Sequence, residues 1–104
     1  LKKGKMPTGF EVDKIARDYV KNTGYGDNFL HGLGHPLGFN NPHGRGTRLS
    51  PKGRKKLSKL VGYTIEPGIY LKNKFGARSE IDFYINEKNR VVITTKIQGE
   101  ICKI

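Results

Sequence analysis

The chain carries a single cysteine, Cys102, which excludes an internal disulfide framework and fits a reducing compartment. No apolar run approaches the ~20 residues needed to span a bilayer, and no signal-peptide pattern opens the sequence. A soluble, cytoplasmic protein without a membrane partner is therefore expected. Acidic residues are scarce as well. None occurs between Asp27 and Glu66, an interval that holds Arg45, Arg48, Lys52, Arg54, Lys55, Lys56 and Lys59. With a formal net charge of +11, such a block could attract phosphate backbones or acidic partners. No aromatic residue interleaves with these charges, which favours a solvated basic face over a nucleic-acid platform. A third reading has the block facing an acidic surface on a missing partner or chain segment.

What is present is lean. Apolar residues make up 35% of 104 positions, enough for one domain with a modest core. The 14 glycines imply many turns and close backbone approaches. Residues 1–6 read as a polar lead-in. Thr8-Gly-Phe-Glu11 has the form of a capping box. Val12, Ile15, Ala16 and Tyr19 then recur at helical spacing, and Gly24 follows as a stop. These signals predict a helix from about Glu11 to Asn22 with that apolar face inward. The segment from Gly24 to Gly46 reads as turn-dominated, and Ser50-Pro51 could open a short helix through Leu57 and Leu60. Beyond Val61 the pattern changes to extended runs. Gly62–Ile65 and Ile69–Leu71 flank a Glu66-Pro-Gly turn, and the runs Ser79–Ile85 and Arg90–Lys96 read as a hairpin. Helix first and strands afterwards argues for an α+β fold with a mainly antiparallel sheet.

Three short segments concentrate chemistry. His35 sits between Gly34 and Pro36, with His31 and His43 nearby. Glu66 precedes Pro67-Gly68, which biases its backbone toward an extended conformation before a tight turn. Glu80 falls in the alternating run, with Arg78 and Asp82 on the same face by the period of two, where Arg78 could orient it. Singly, each has an ordinary reading: a surface histidine, a turn residue, an exposed salt bridge. Together, one imidazole and two carboxylates suit a pair of divalent cations better than one structural zinc.

In order and type, these segments resemble the C-terminal motifs of the pita-bread (creatinase/aminopeptidase-like) metallopeptidases. That family includes Xaa-Pro aminopeptidases, prolidases and methionine aminopeptidases. Phe29-Leu-His-Gly-Leu-Gly-His35-Pro-Leu-Gly38 looks like the histidine motif of the Xaa-Pro aminopeptidase and prolidase branch. Thr64-Ile-Glu-Pro-Gly-Ile-Tyr70 looks like its glutamate motif, and Phe75-Gly-Ala-Arg-Ser-Glu-Ile-Asp82 like its Gly-x-Arg-x-Glu-x-Asp strand. The resemblance covers about Pro7 to Thr95. It implies the C-terminal half of a pita-bread fold, with His35, Glu66 and Glu80 as metal ligands, Glu80 bridging. Glu66 would also handle protons, Arg78 would orient Glu80, and His31 would shape the substrate pocket. The family places a further histidine about seven positions after the ligand histidine. Pro42 stands there in this chain and His43 one position later, so His43 is assigned that role through a one-residue insertion. The implied reaction is hydrolysis of Xaa-Pro peptides assisted by two divalent ions, which could be manganese, cobalt, zinc or iron.

The sequence departs from the family in one large respect. The family draws two aspartate ligands from an earlier half of the domain, and Asp13, Asp18 and Asp27 lack the required strand context. Asp82 could at best substitute weakly. Such a chain would need a missing N-terminal half or a homologous partner chain, would be inactive alone, and would expose core surface meant for that other half. A second reading is a non-catalytic module of the same fold that binds protein or nucleic acid through its basic surface.

Overall fold

The structure, a computed structural model, describes residues 4–100; the first three lead-in residues and Cys102 lie outside the described residues. The helix α1 spans Gly9–Asn22. Its start is set by both halves of the capping box: Glu11 N donates to Thr8 Oγ1 at 3.2 Å, and Thr8 N donates to Glu11 Oε2 at 2.8 Å. With Thr8 as the cap, the helix begins two residues earlier than the apolar pattern alone suggests. It ends where Gly24 takes a φ of +92°, a left-handed conformation that glycine adopts without strain.

The buried side of α1 differs from the expected one. Asp13 and Val20 are buried, whereas Ile15 is 76% exposed and Tyr19 73% exposed. Val12 and Ala16 alone of the expected face pack partly against the core. The short helix expected after Ser50 is also replaced. Gly53 N donates to Ser50 O at 2.9 Å, closing a turn, and the segment's carbonyls then serve α1. Phe10 N donates to Gly53 O at 2.7 Å and Gly9 N to Lys55 O at 3.1 Å, which satisfies donors that the first helical turn leaves free. A helix over Ser50–Leu60 would withdraw those carbonyls.

Five short strands follow: β1 Gly62–Ile65, β2 Gly68–Leu71, β3 Phe75–Arg78, β4 Ile81–Ile85 and β5 Val91–Ile93. They form two antiparallel sheets, one of order β1-β4-β5 and a β2-β3 hairpin. The β4-β5 hairpin matches the expected pairing. The run Ser79–Ile85, however, is not one strand, because Ser79 and Glu80 link β3 to β4 as the chain changes sheets. Arg78 and Asp82 therefore belong to different sheets rather than to one strand face. The segment from Gly24 to Gly46 is turn-rich as expected, with a 3-10 turn at Gly26–Asn28.

Part of that segment extends the three-stranded sheet. Residues 33–37 run antiparallel beside β1, with Glu66 N donating to Leu33 O, Thr64 N to His35 O and Leu37 N to Gly62 O at 2.7–2.9 Å. Strand alternation then gives the sheet two different faces. Odd-numbered positions Tyr63, Ile65, Ile81, Phe83 and Ile85 make an apolar face, joined by Val91 and Ile93. Even-numbered positions Thr64 and Asp82 stand opposite each other on the polar face. The core gathers Val20, Phe29, Leu33, Leu49, Leu57, Tyr63, Phe83 and Ile85, with the rings of Tyr63 and Phe83 stacked at 5.6 Å.

Candidate metal centre

The histidine segment is held from behind by α1. Asp13, only 1% exposed, accepts from Arg17 Nε and Nη2 at 2.8 and 3.0 Å and from Leu33 N at 3.0 Å. Arg17 in turn donates to Phe29 O at 3.1 Å and His31 O at 2.8 Å, and its guanidinium lies 4.3 Å from the Phe29 ring centre. The hydrogen bonds that Arg17 donates to Asp13 hold the guanidinium pKa above its ordinary value, against the opposing effect of burial. An i, i+4 ion pair thus fixes three backbone positions flanking the histidines. Sequence reading did not single out this pair. The available signal was a carboxylate and a guanidinium four residues apart on α1, which ordinarily marks an exposed bridge.

Gly34 lets the histidine segment approach β1. A Cβ there would lie 1.9 Å from Thr64 O, so any side chain would push the strands apart. This close approach sets His35 beside Glu66. Thr64 Oγ1 accepts from His35 N at 3.1 Å, and His35 Nδ1 faces Pro36 O at 2.9 Å. A carbonyl can only accept, so Nδ1 carries the proton in the singly protonated ring. Nε2 then turns a lone pair toward Glu66 Oε2, 3.8 Å away. That separation is too long for a hydrogen bond, and His35 and Glu66 are a donor pair that would suit a divalent cation.

The second carboxylate follows from strand register. Ile65 pairs with Ile81, so the next step past the ends of β1 and β4 brings Glu66 and Glu80 together. Glu80 is held above its ordinary carboxylate value, first by partial loss of hydration, then by the charges of Glu66 and Asp82 and hydrogen bonding to Asp82; Arg78 opposes this. Asp82 Oδ1 is buried without a hydrogen-bond partner. Crowded carboxylates with an orphaned oxygen have the donor chemistry that a cation would take. The donor set is nonetheless incomplete: among the described residues, no three His, Cys, Asp or Glu side chains converge into a ready-made metal group.

A cleft of about 330 Å³ opens over this wall, lined by His31, His35, His43, Arg48, Ser50, Glu66 and Arg78 together with Gly32 and Gly34. His43 lies beside His35 in this cleft. Asn41 Oδ1 accepts from His43 N at 2.9 Å, and the His43 ring centre lies 4.3 Å from that of His35. His31 has both ring nitrogens engaged: Nδ1 faces Gly32 O at 2.7 Å, and Tyr70 donates its hydroxyl hydrogen to Nε2 at 2.8 Å in the singly protonated ring. Glu80 stands outside the lining of the cleft. The basic block divides, with Arg48 in the cleft and Arg54 lying 5.6 Å from the Phe10 ring centre.

Residues 2–87 match the family model of metallopeptidase family M24. The chain belongs to that family. It is 38% identical over 94 residues to the Xaa-Pro dipeptidase of Pyrococcus furiosus, covering 90% of this chain and 26% of the relative. Among solved structures, the prolidase of Pyrococcus horikoshii superposes with a TM-score of 0.83 at 36% identity, over 93% of this chain and 27% of that one. The X-Pro aminopeptidase of Thermotoga maritima does so with a TM-score of 0.82 at 38% identity, over 92% and 26%. The α+β arrangement is thus a part of the prolidase fold. This M24 chain spans about a quarter of the length of the relatives it matches. Among its described residues, no helix is long and apolar enough to cross a membrane.

Proposed function

We propose that this chain forms one wall, the C-terminal part, of a dinuclear metallopeptidase site that hydrolyses Xaa-Pro peptides in the cytoplasm. The observation that carries the reading is the His35 Nε2 lone pair facing the Glu66 carboxylate at 3.8 Å, beside the crowded pair Glu66 and Glu80. Divalent ions held by His35, Glu66 and Glu80 would supply an activated water and charge stabilisation for the developing oxyanion. Glu66 can also take up and return a proton at its carboxylate. His31, oriented by Tyr70, and His43, packed on His35, line the space where a peptide carbonyl would sit. Arg78, in the cleft wall, lowers the charge cost of the carboxylate cluster. Two further carboxylates, from an N-terminal half of the fold or a homologous partner chain, would complete the ligand set.

The pure chain is expected to bind manganese or cobalt weakly in calorimetric titration and to lose that binding in His35→Ala and Glu66→Gln. It should leave Xaa-Pro dipeptides intact until a polypeptide carrying the two aspartates is added. Hydrolysis by the chain alone with added manganese would sink the proposal of inactivity. The exposed cations of the block Arg45 to Lys59 support a second reading, a non-catalytic module that binds nucleic acid or protein. Duplex binding that weakens steeply with salt would favour it.

A further inference from the structure

The fold sorts the basic block into two places. Arg48 lines the cleft, whereas Lys52, Arg54, Lys55, Lys56 and Lys59 lie outside it and are exposed. Their loop is tied down along its length. Gly53 O and Lys55 O accept from the first turn of α1, Leu57 N donates to Pro7 O at 2.8 Å, and Ser58 N donates to Tyr63 Oη at 2.9 Å. Leu60 N donates to Ile85 O at 2.8 Å and Lys59 Nζ to Glu87 O at 3.3 Å. These bonds set the loop against the β4-β5 turn, which adds the exposed cations Lys88 and Arg90. Among the described residues, the lysine and arginine side chains paired with a carboxylate are Lys14 and Arg17. The cations of the loop and turn therefore carry uncompensated charge on a fixed backbone.

We infer that this face, formed by the loop from Lys52 to Lys59 and the β4-β5 turn, binds the phosphate backbone of a DNA duplex. The inference rests on the second reading above, to which it gives a place and a chemistry, and it is independent of the metal site. Charge density favours a polyanion. At ~3.6 Å per residue the loop reaches at most ~25 Å, a span over which a duplex presents on the order of 15 phosphates. Lysine, which dominates the face, is depleted in protein–protein contacts, whereas surfaces that meet DNA are strongly positive. No aromatic residue lies among these charges in sequence, and Phe10, which the fold brings within 5.6 Å of Arg54, is half-buried. A single strand is held by stacking its bases on free aromatic rings; a duplex needs only cations at fixed places. Lysine and arginine are donors only, so they take phosphate oxygens and cannot accept from the 2′-hydroxyl that marks RNA.

The test is fluorescence anisotropy with the purified chain and a labelled, mixed-sequence DNA duplex, titrated at several salt concentrations. Binding should saturate, and log K should fall against log[salt] with a slope of about −4 to −5, as for about five neutralised phosphates. The combined variant Lys55→Gln, Lys56→Gln and Lys59→Gln should bind at least ~10-fold more weakly and lose about 3 from that slope. Removing the same charge from exposed sites elsewhere, in Lys21→Gln, Lys72→Gln and Lys74→Gln, should leave binding near that of the parent chain. Circular dichroism checks that the variants fold. Absent duplex binding, an unaffected face variant or equal losses in both variants would overturn the inference. Tighter binding of the single strand, of the equivalent RNA duplex or of polyglutamate would also overturn it, by naming a different occupant. Duplex binding lost in Arg45→Gln but kept in the face variant removes this face and leaves the second reading standing. Manganese titration of the face variant should match that of the parent chain, so a failed metal site and a failed basic face are read separately.

Discussion

The two faces of the β1-β4-β5 sheet are built from alternate residues of the same strands, yet they differ in how much of their support lies within the chain. On the polar face, the supporting bonds come from within the chain. Asp13 and Arg17 clamp the histidine segment, Thr64 Oγ1 holds His35 N, and Tyr70 orients His31. On the apolar face, Ile15, Val91 and Ile93 are left in water. A polar site must be pre-organised atom by atom, so its scaffold has to be local. Apolar burial is non-directional and can be completed by whatever chain arrives. The contrast predicts that substitutions behind the polar face are costly in the isolated chain and substitutions on the apolar rim are not.

The largest effect is expected at Asp13. Asp13→Ala leaves the Arg17 guanidinium and the Leu33 N–H without their buried acceptor, at about 3 kcal/mol in urea unfolding. The double substitution Asp13→Ala with Arg17→Met should cost less than Asp13→Ala alone, since it removes the stranded charge. If Asp13→Ala costs no more than a surface change, the clamp is not what holds the polar face. Gly34→Ala comes next. Its Cβ would strike Thr64 O, so about 2 kcal/mol is expected, together with loss of manganese binding as His35 moves from Glu66.

Much of the polar face was legible in the sequence because its signals are local. The capping box from Thr8 to Glu11 and the β4-β5 hairpin depend on neighbouring residues and appear as read, whereas the tight turn expected after Glu66 is instead a two-residue link between β1 and β2 in different sheets. The segments bearing His35, Glu66 and Glu80 pointed to a shared wall, and the fold sets the first two side by side. What escaped reading depends on the rest of the fold. The face of Val12, Ile15, Ala16 and Tyr19 was expected inward, and its helical period is real, but periodicity cannot say whether the covering surface belongs to the same chain. Alternation through Ser79–Ile85 hid the change of sheet at Ser79 and Glu80, because the side-chain rhythm survives such a link. The Ser50 segment had helix-start residues, and its carbonyls were taken by α1 instead.

Smaller changes sharpen the comparison. Tyr70→Phe removes the donor to His31 Nε2 and should cost about 1 kcal/mol. The nitrogen-15 shift of that ring nitrogen should change in the same variant; an unchanged shift would mean the hydroxyl does not orient His31. Ile15→Ser, on the apolar rim, should alter the stability of the isolated chain by no more than ~0.5 kcal/mol. A loss comparable to that of Gly34→Ala would show that the rim is already closed within this chain.

Glu80→Gln is expected to have the smallest effect on stability and the opposite sign. Glu80 ends the step past Ile81 that brings it to Glu66; partial loss of hydration and then the Glu66 and Asp82 charges oppose its ionised form, and Arg78 favours it. Replacing the carboxylate with an amide removes that repulsion. The gain is held to a few tenths of a kcal/mol because Glu80 is exposed and water screens it. The same change removes a donor from the wall, so manganese should bind more weakly while the metal-free chain unfolds at slightly higher urea. A group kept for scaffolding would lose stability when neutralised; a group kept for a cation gains it, because the crowding serves only the ion. If Glu80→Gln destabilises the metal-free chain, the carboxylate belongs to the scaffold and the wall has only His35 and Glu66 to offer.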